Sequence, residues 1–107
     1  MTDTPRRIRL NRERGWRMPP NTVKVDRTGW FGNPYIVYEH GTRAECVEMF
    51  RAVLTGKREP DKVFTVKRRD IIRGALRYRL KGQNLGCWCP LDEPCHADVL
   101  LQLAAEA

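Results

Sequence analysis

Apolar positions along the chain recur with two spacings, and together they predict short strands alternating with helices. Arg6-Arg7-Ile8-Arg9-Leu10 alternates basic and apolar residues, so a strand near 7–10 turns Ile8 and Leu10 inward. Thr22-Val23-Lys24-Val25-Asp26-Arg27 predicts a second strand near 23–27. A third is expected near 84–89, in which Cys87 and Cys89 share one face and Trp88 takes the other. Between them the period becomes helical. Cys46/Val47, Phe50 and Val53/Leu54 mark the buried face of a helix near 43–55, opened by the capping box Thr42-Arg43-Ala44-Glu45 and closed at Gly56. Ile71/Ile72, Ala75/Leu76 and Leu80 do the same near 68–81, opposite a basic face of Arg68, Arg69, Arg73, Arg77, Arg79 and Lys81. Val99-Leu100-Leu101-Gln102-Leu103 predicts a last helix near 96–106. The expected fold is α/β: one small domain over residues 1–107, with residues 1–5 loose and a short sheet of three or four strands flanked by three helices. Strand order and direction do not follow from spacing.

Composition narrows the class. With 107 residues and 41% hydrophobic content the chain can bury one modest core. No run approaches the ~20 apolar residues of a membrane span, and no signal-peptide core is visible, so a cytoplasmic protein of a bacterium or phage-infected cell is expected, without a membrane partner. In that setting four cysteines imply reduced thiols or metal rather than disulfides. The net charge of +7 is unevenly placed. All 20 Lys and Arg lie in residues 1–86, whereas residues 87–107 carry four acids and no base. Such a basic body points to a polyanion, most often nucleic acid.

Candidate chemistry concentrates in Gly86-Cys87-Trp88-Cys89-Pro90-Leu91-Asp92-Glu93-Pro94-Cys95-His96-Ala97-Asp98. This is a strand-to-helix turn, where open α/β sheets place ligands. Cys95, His96 and Asp98 open a helix whose free N–H groups favour negative charge. Structural zinc on Cys87, Cys89, Cys95 and His96 is one reading, although the spacing is not that of the usual knuckles and Cys95 and His96 are adjacent. A metal-free pocket with His96 as acid, base or donor is another, and ordinary core cysteines with a capping histidine a third. A second turn, Thr28-Gly29-Trp30-Phe31-Gly32-Asn33-Pro34-Tyr35, presents Asn33 extended before a proline. The loop Asn11–Pro20 interleaves Arg12, Arg14 and Arg17 with Trp16, a pattern that serves equally to follow a phosphate backbone or to cover the core edge. Cys46 reads as core.

Arg14-Gly15-Trp16-Arg17-Met18-Pro19, the Gly32-Asn33-Pro34-Tyr35 turn, Thr42-Arg43 and Cys87-Trp88-Cys89…Pro94-Cys95-His96-Ala97-Asp98-Val99-Leu100 together resemble a family of small phage and bacterial proteins catalogued as a domain of unknown function. The likeness runs from about Ile8 to Leu103, and Asp26 departs from the smaller residue usual in the pattern. The resemblance implies a DNA glycosylase acting on 5-hydroxymethyluracil and requiring no cofactor; because Lys24 is the only lysine close to the candidate turns, a reaction that leaves the strand uncut is expected. Gly32-Asn33-Pro34-Tyr35 is also similar to the Gly-x-x-Pro-Tyr loop of uracil-DNA glycosylases. On this reading Asn33, His96, Asp98 and Asp26 are catalytic, and Arg27, Trp30, Phe31, Gly32, Tyr35, Arg43 and Cys89 hold the extruded base. Arg12, Arg14, Trp16 and Arg17 grip the DNA. A zinc-stabilised nucleic-acid-binding module and an enzyme of free nucleosides or nucleotides are the alternatives. The catalytic reading requires Asn33 and His96 to share a cavity, and it expects Asn33→Ala to stop turnover with little loss of folding.

Overall fold

The computed structural model describes residues 4–107. Three strands, β1 (Arg7–Arg9), β2 (Thr22–Lys24) and β3 (Asn84–Cys87), form an all-parallel sheet in the order β1-β3-β2. Arg7, Ile8 and Arg9 pair with Leu85, Gly86 and Cys87, while Thr22, Val23 and Lys24 pair with Asn84, Leu85 and Gly86. The central strand is therefore the last in sequence, and the carboxyl ends of all three strands gather at one edge. Leu10 N–H to the Cys87 carbonyl (2.9 Å) and Val25 N–H to the Gly86 carbonyl (2.8 Å) extend the pairing just past that edge. The expected third strand ends early: the chain leaves the ladder after Cys87 and bends through Trp88 and Cys89 ahead of Pro90.

Three helices complete the domain, α1 (Arg43–Leu54), α2 (Val66–Ala75) and α3 (His96–Glu106). The Thr42 hydroxyl accepts from Glu45 N–H (3.2 Å) and Glu45 accepts from Thr42 N–H (3.0 Å), so the capping box forms as expected. The buried face of α1 is Cys46, Val47, Phe50, Val53 and Leu54, as the periodicity required. The second helix begins two residues early, at a Thr65 cap, and ends in a π-turn over Leu76–Leu80. Regular spacing from Ile72 and Ala75 would bring Arg79 inward. The widened turn, closed by Lys81 N–H on the Leu76 carbonyl (2.9 Å), brings Leu80 into the core instead.

One core joins these elements. Val25, Phe50, Phe64, Ile72, Leu85, Val99 and Leu100 are fully buried within it. Phe64, inside the polar connection 57–65, carried no periodic signal and is nonetheless buried against Phe50 and Tyr35. Among the described residues no helix is long and apolar enough to cross a membrane.

Candidate functional site at the carboxyl edge of the sheet

Both candidate turns leave the sheet at its carboxyl edge, and they meet. A cavity of about 70 Å³ is lined by Arg27, Asn33, Tyr35, Arg43, Cys89 and His96, with Val37, Cys46, Val47, Pro94 and Cys95 closing it. A second hollow of about 140 Å³ shares Arg27 and Asn33 with the first and adds Gly32, Pro34, Ile36 and Arg68. Asn33 thus stands between the two. An open groove lined by Arg9, Leu10, Asn11, Arg12, Glu13 and Trp88 lies at the same edge, and the Arg12 guanidinium stacks 4.6 Å from the Trp88 ring.

The loop bearing Asn33 is held by three devices. The Asn33 amide donates to the Cys46 carbonyl (3.0 Å) and accepts from Tyr35 N–H (3.0 Å), tying the turn to α1. This leaves one amide N–H and one oxygen lone pair uncommitted. Gly32 packs so closely beneath Asp26 and Arg27 that a Cβ there would lie 2.6 Å from the Asp26 carbonyl oxygen. Arg68, expected on a solvent-facing basic surface, instead points its guanidinium at the carbonyls of Trp30 (2.9 Å), Gly32 (3.3 Å) and Gly29 (3.4 Å). Arg73 likewise donates to the Leu54 carbonyl (2.9 Å). The basic face of α2 is thus partly a set of structural anchors.

His96 reaches the cavity wall but is buried, with Nε2 2.5 Å from the Val25 carbonyl. A carbonyl only accepts, so the Nε2 tautomer carries the proton and Nδ1, 3.6 Å from Cys95 Sγ, is the free lone pair. Burial pushes its pKa below the ordinary histidine value, which keeps the ring neutral. A hydrogen bond from Nε2 to a departing base would require breaking the bond to Val25.

The two acids lie elsewhere. Asp26 is buried beneath Trp88, whose indole N–H donates to it (2.8 Å); Thr28 donates through N–H and hydroxyl (3.2 and 2.6 Å), and Lys24 approaches to 3.6 Å. Burial acts to raise its pKa, but the bonds from Thr28 and Trp88 and the Lys24 charge outweigh it and leave it below the usual carboxylate range. Its oxygens are committed to structure. Asp98 caps α3 by accepting from Cys95 N–H (3.3 Å) and pairs with Arg7 (2.9 Å), outside the cavity lining. Arg7 also donates to the Pro90 carbonyl (2.9 Å), fastening the Cys-Trp-Cys bend to β1.

Of the residues expected to hold a base, Arg27, Arg43, Tyr35 and Cys89 line the first cavity and Gly32 the second. Tyr35 offers its ring alone, since its hydroxyl donates to Asp61 (3.0 Å) and accepts from Arg58 (3.2 Å). Trp30 and Phe31 line neither cavity: Trp30 is exposed with Lys67 and Arg68 each 5.4 Å from its ring, and Phe31 packs against the core. In the expected arm, Arg12 lines the groove over Trp88, Arg14 and Arg17 are exposed and Trp16 is half-buried.

The sulfurs of Cys87, Cys89 and Cys95 all lie within 4.8 Å of one another, with Cys87 and Cys89 3.7 Å apart, so these three residues could hold a metal ion. His96 falls outside the group: its Nε2 is fixed on Val25, and its Nδ1, although 3.6 Å from Cys95 Sγ, does not come within 4.8 Å of all three sulfurs. Hydrogen bonds from Cys87 and Cys95 pull the Cys89 pKa strongly down, and Arg43, 3.4 Å from its sulfur, acts in the same direction. Cys95 and Cys87 shift upward as the partners that keep their protons. The fourth cysteine, Cys46, sits in the core with its pKa raised by burial.

A parallel three-stranded sheet flanked by three helices, with a polar cavity at the strand ends, defines a small α/β domain. The chain belongs to the family described as Domain of unknown function (DUF4326), whose model matches residues 8–106. Comparison with curated proteins and with solved structures finds no match to either.

Proposed function

We propose that the chain is a DNA glycosylase that excises a modified pyrimidine, 5-hydroxymethyluracil in the first instance, by hydrolysing the N-glycosidic bond. The observation that carries the reading is the meeting of the two turns: Asn33, Arg27, Arg43 and His96 border one cavity at the carboxyl edge of the sheet. The Arg12–Trp88 stack lies at the same edge of the sheet, and Arg68, which lines the adjoining hollow, stands with Lys67 beside the exposed Trp30 ring. A duplex base must leave the stack to be reached, and aromatic and cationic side chains at a cavity mouth serve that step. Water occupies about 30 Å³ in the liquid, so a 70 Å³ cavity holds about two waters. A base therefore needs more room than this cavity alone, and the adjoining hollow of about 140 Å³, which shares Arg27 and Asn33 with it, is where that room lies.

Within that geometry the side chains take different parts from those assigned by resemblance. The uncommitted N–H and lone pair of Asn33 suit a pyrimidine edge, which offers both acceptor and donor. Bond breaking leaves positive charge on the sugar and negative charge on the base. Arg27 and Arg43 are placed to stabilise the departing anion. Asp26 and Asp98 are held in structural bonds, and His96 positions Val25 and the Cys95 turn. The reading takes the reaction to be monofunctional.

The test is incubation with oligonucleotides carrying uracil, thymine, 5-hydroxymethyluracil or 5-hydroxymethylcytosine, followed by detection of alkali-labile abasic sites. Cleavage at 5-hydroxymethyluracil is expected. If no oligonucleotide is cut while free nucleosides are, the chain is a nucleoside enzyme. If neither is cut and the chain binds DNA, it is a non-catalytic nucleic-acid-binding module, with the three clustered cysteines as its candidate metal site.

A further inference from the structure

We propose that Cys87, Cys89 and Cys95 bind a zinc ion as three thiolates whose fourth corner opens on the Asn33 cavity, where a water or an anionic ligand completes the coordination. With Zn–S bonds of about 2.3 Å, the edge of a tetrahedral site is about 3.8 Å. The Cys87–Cys89 separation of 3.7 Å matches that edge, and Cys95 closes the triangle. The sulfurs come from the end of the central strand, from the bend after it and from the cap of α3, so the fold rather than one flexible loop sets their spacing.

A second observation is independent of the spacing: donors are aimed at the sulfurs. Cys95 occupies a helix N-cap, a position that favours oxygen side chains, and its sulfur accepts from Ala97 N–H (3.5 Å). The Arg43 guanidinium donates to Cys89 Sγ (3.4 Å) while pairing with Glu93 (2.9 Å). A helix start and an arginine both stabilise thiolate over thiol. Three thiolates and one Zn²⁺ leave a single negative charge beside the Arg43 guanidinium, which bridges Cys89 and Glu93. Soft thiolate donors in a tetrahedral set select zinc over magnesium, calcium or manganese.

The fourth corner follows from what surrounds the triangle. His96 lies outside the group, and the cavity lined by Cys89 and Cys95 holds about two waters. Three protein ligands with an exchangeable fourth is the arrangement of reactive zinc sites, whereas purely structural sites are closed by four. The inference does not rest on base excision, since its readouts are metal content and spectra.

The full chain purified without chelator should carry zinc in stoichiometric amount. Replacement by Co²⁺ should give sulfur-to-cobalt charge transfer in the near ultraviolet and intense tetrahedral bands in the red, which added azide should shift. Cys89→Ser, confirmed as folded by circular dichroism, should weaken zinc binding by roughly 100-fold or more, since even outer partners of a metal site command 10–100-fold. Failure of the unmodified chain to retain zinc or give the cobalt spectrum overturns the proposal. So does a folded Cys89→Ser chain with undiminished affinity. Cobalt bands indifferent to azide, yet altered in a folded His96→Gln chain, would make the imidazole the fourth ligand and overturn the open corner.

Discussion

Asn33 commits one donor and one acceptor to backbone groups, and both bonds are buried. Removing the side chain leaves those groups without a partner in a place water reaches poorly, at about 1–3 kcal/mol. Asn33→Ala should therefore lose that much stability in urea unfolding as well as its turnover, contrary to the expectation of an innocuous change. Turnover must be assayed where the variant is still folded, and an active, undestabilised variant refutes the role given to the amide. Asp26 makes a separate prediction. Its folded pKa lies below the unfolded value near 3.9, so its contribution is complete above that value and disappears as pH falls through the folded one. Asp26→Asn should be less stable at neutral pH and lose less on acidification to about pH 3. Parallel acid limbs for the two chains would contradict this.

At the scale of elements, close packing decides where the Trp30–Asn33 turn can sit. A Cβ on Gly32 would lie 2.6–2.8 Å from the backbone of Asp26 and Arg27, and backbone cannot step aside as a side chain does. A Cβ on Gly86 would press on the Cδ2 end of Leu10 at 2.9 Å and otherwise make ordinary contact with Leu10 Cγ (3.5 Å) and Thr22 Cγ2 (3.6 Å). Gly32→Ala should accordingly cost about 1–3 kcal/mol and displace Asn33, with Gly86→Ala the milder change in a thermal melt. Equal losses would mean that the turn yields as easily as Leu10. The same contrast explains what the sequence disclosed. Helices α1 and α3 announced themselves because caps and apolar spacing agree locally: Thr42 with Glu45, and Cys95 with Asp98 before Val99 and Leu100. The meeting of the two turns followed from their both leaving strand ends. Arg68 was legible as basic but not as an anchor, since its three carbonyl partners lie 36–39 residues away. The π-turn and Phe64 were hidden for a related reason, each being settled by core packing rather than local spacing.

Across the whole molecule the charge asymmetry becomes a docking arrangement. The acid-rich C-terminal segment fastens to the basic body through Asp98 on Arg7 and Glu93 on Arg43. These pairs remove two cations from the set available to phosphates, and Arg68 is occupied by carbonyls. Arg12 beside Trp88 and Lys67 beside Trp30 remain next to aromatic faces at the carboxyl edge, while Arg14 and Arg17 stand exposed on the arm. Each phosphate left without its cation lowers the slope of log K against log salt by about 0.9 on duplex DNA. If DNA runs across the edge and along the arm, Arg14→Ala with Arg17→Ala should flatten the slope by about 1.8, and Arg12→Ala with Lys67→Ala by a similar amount. Fluorescence anisotropy over a salt series reads both. A change confined to the second pair would restrict the DNA path to the cavity mouth and leave the arm as scaffold. No change in either pair would mean that the positive charge of this chain serves something other than DNA at this face, and base excision at the Asn33 cavity would fall with it.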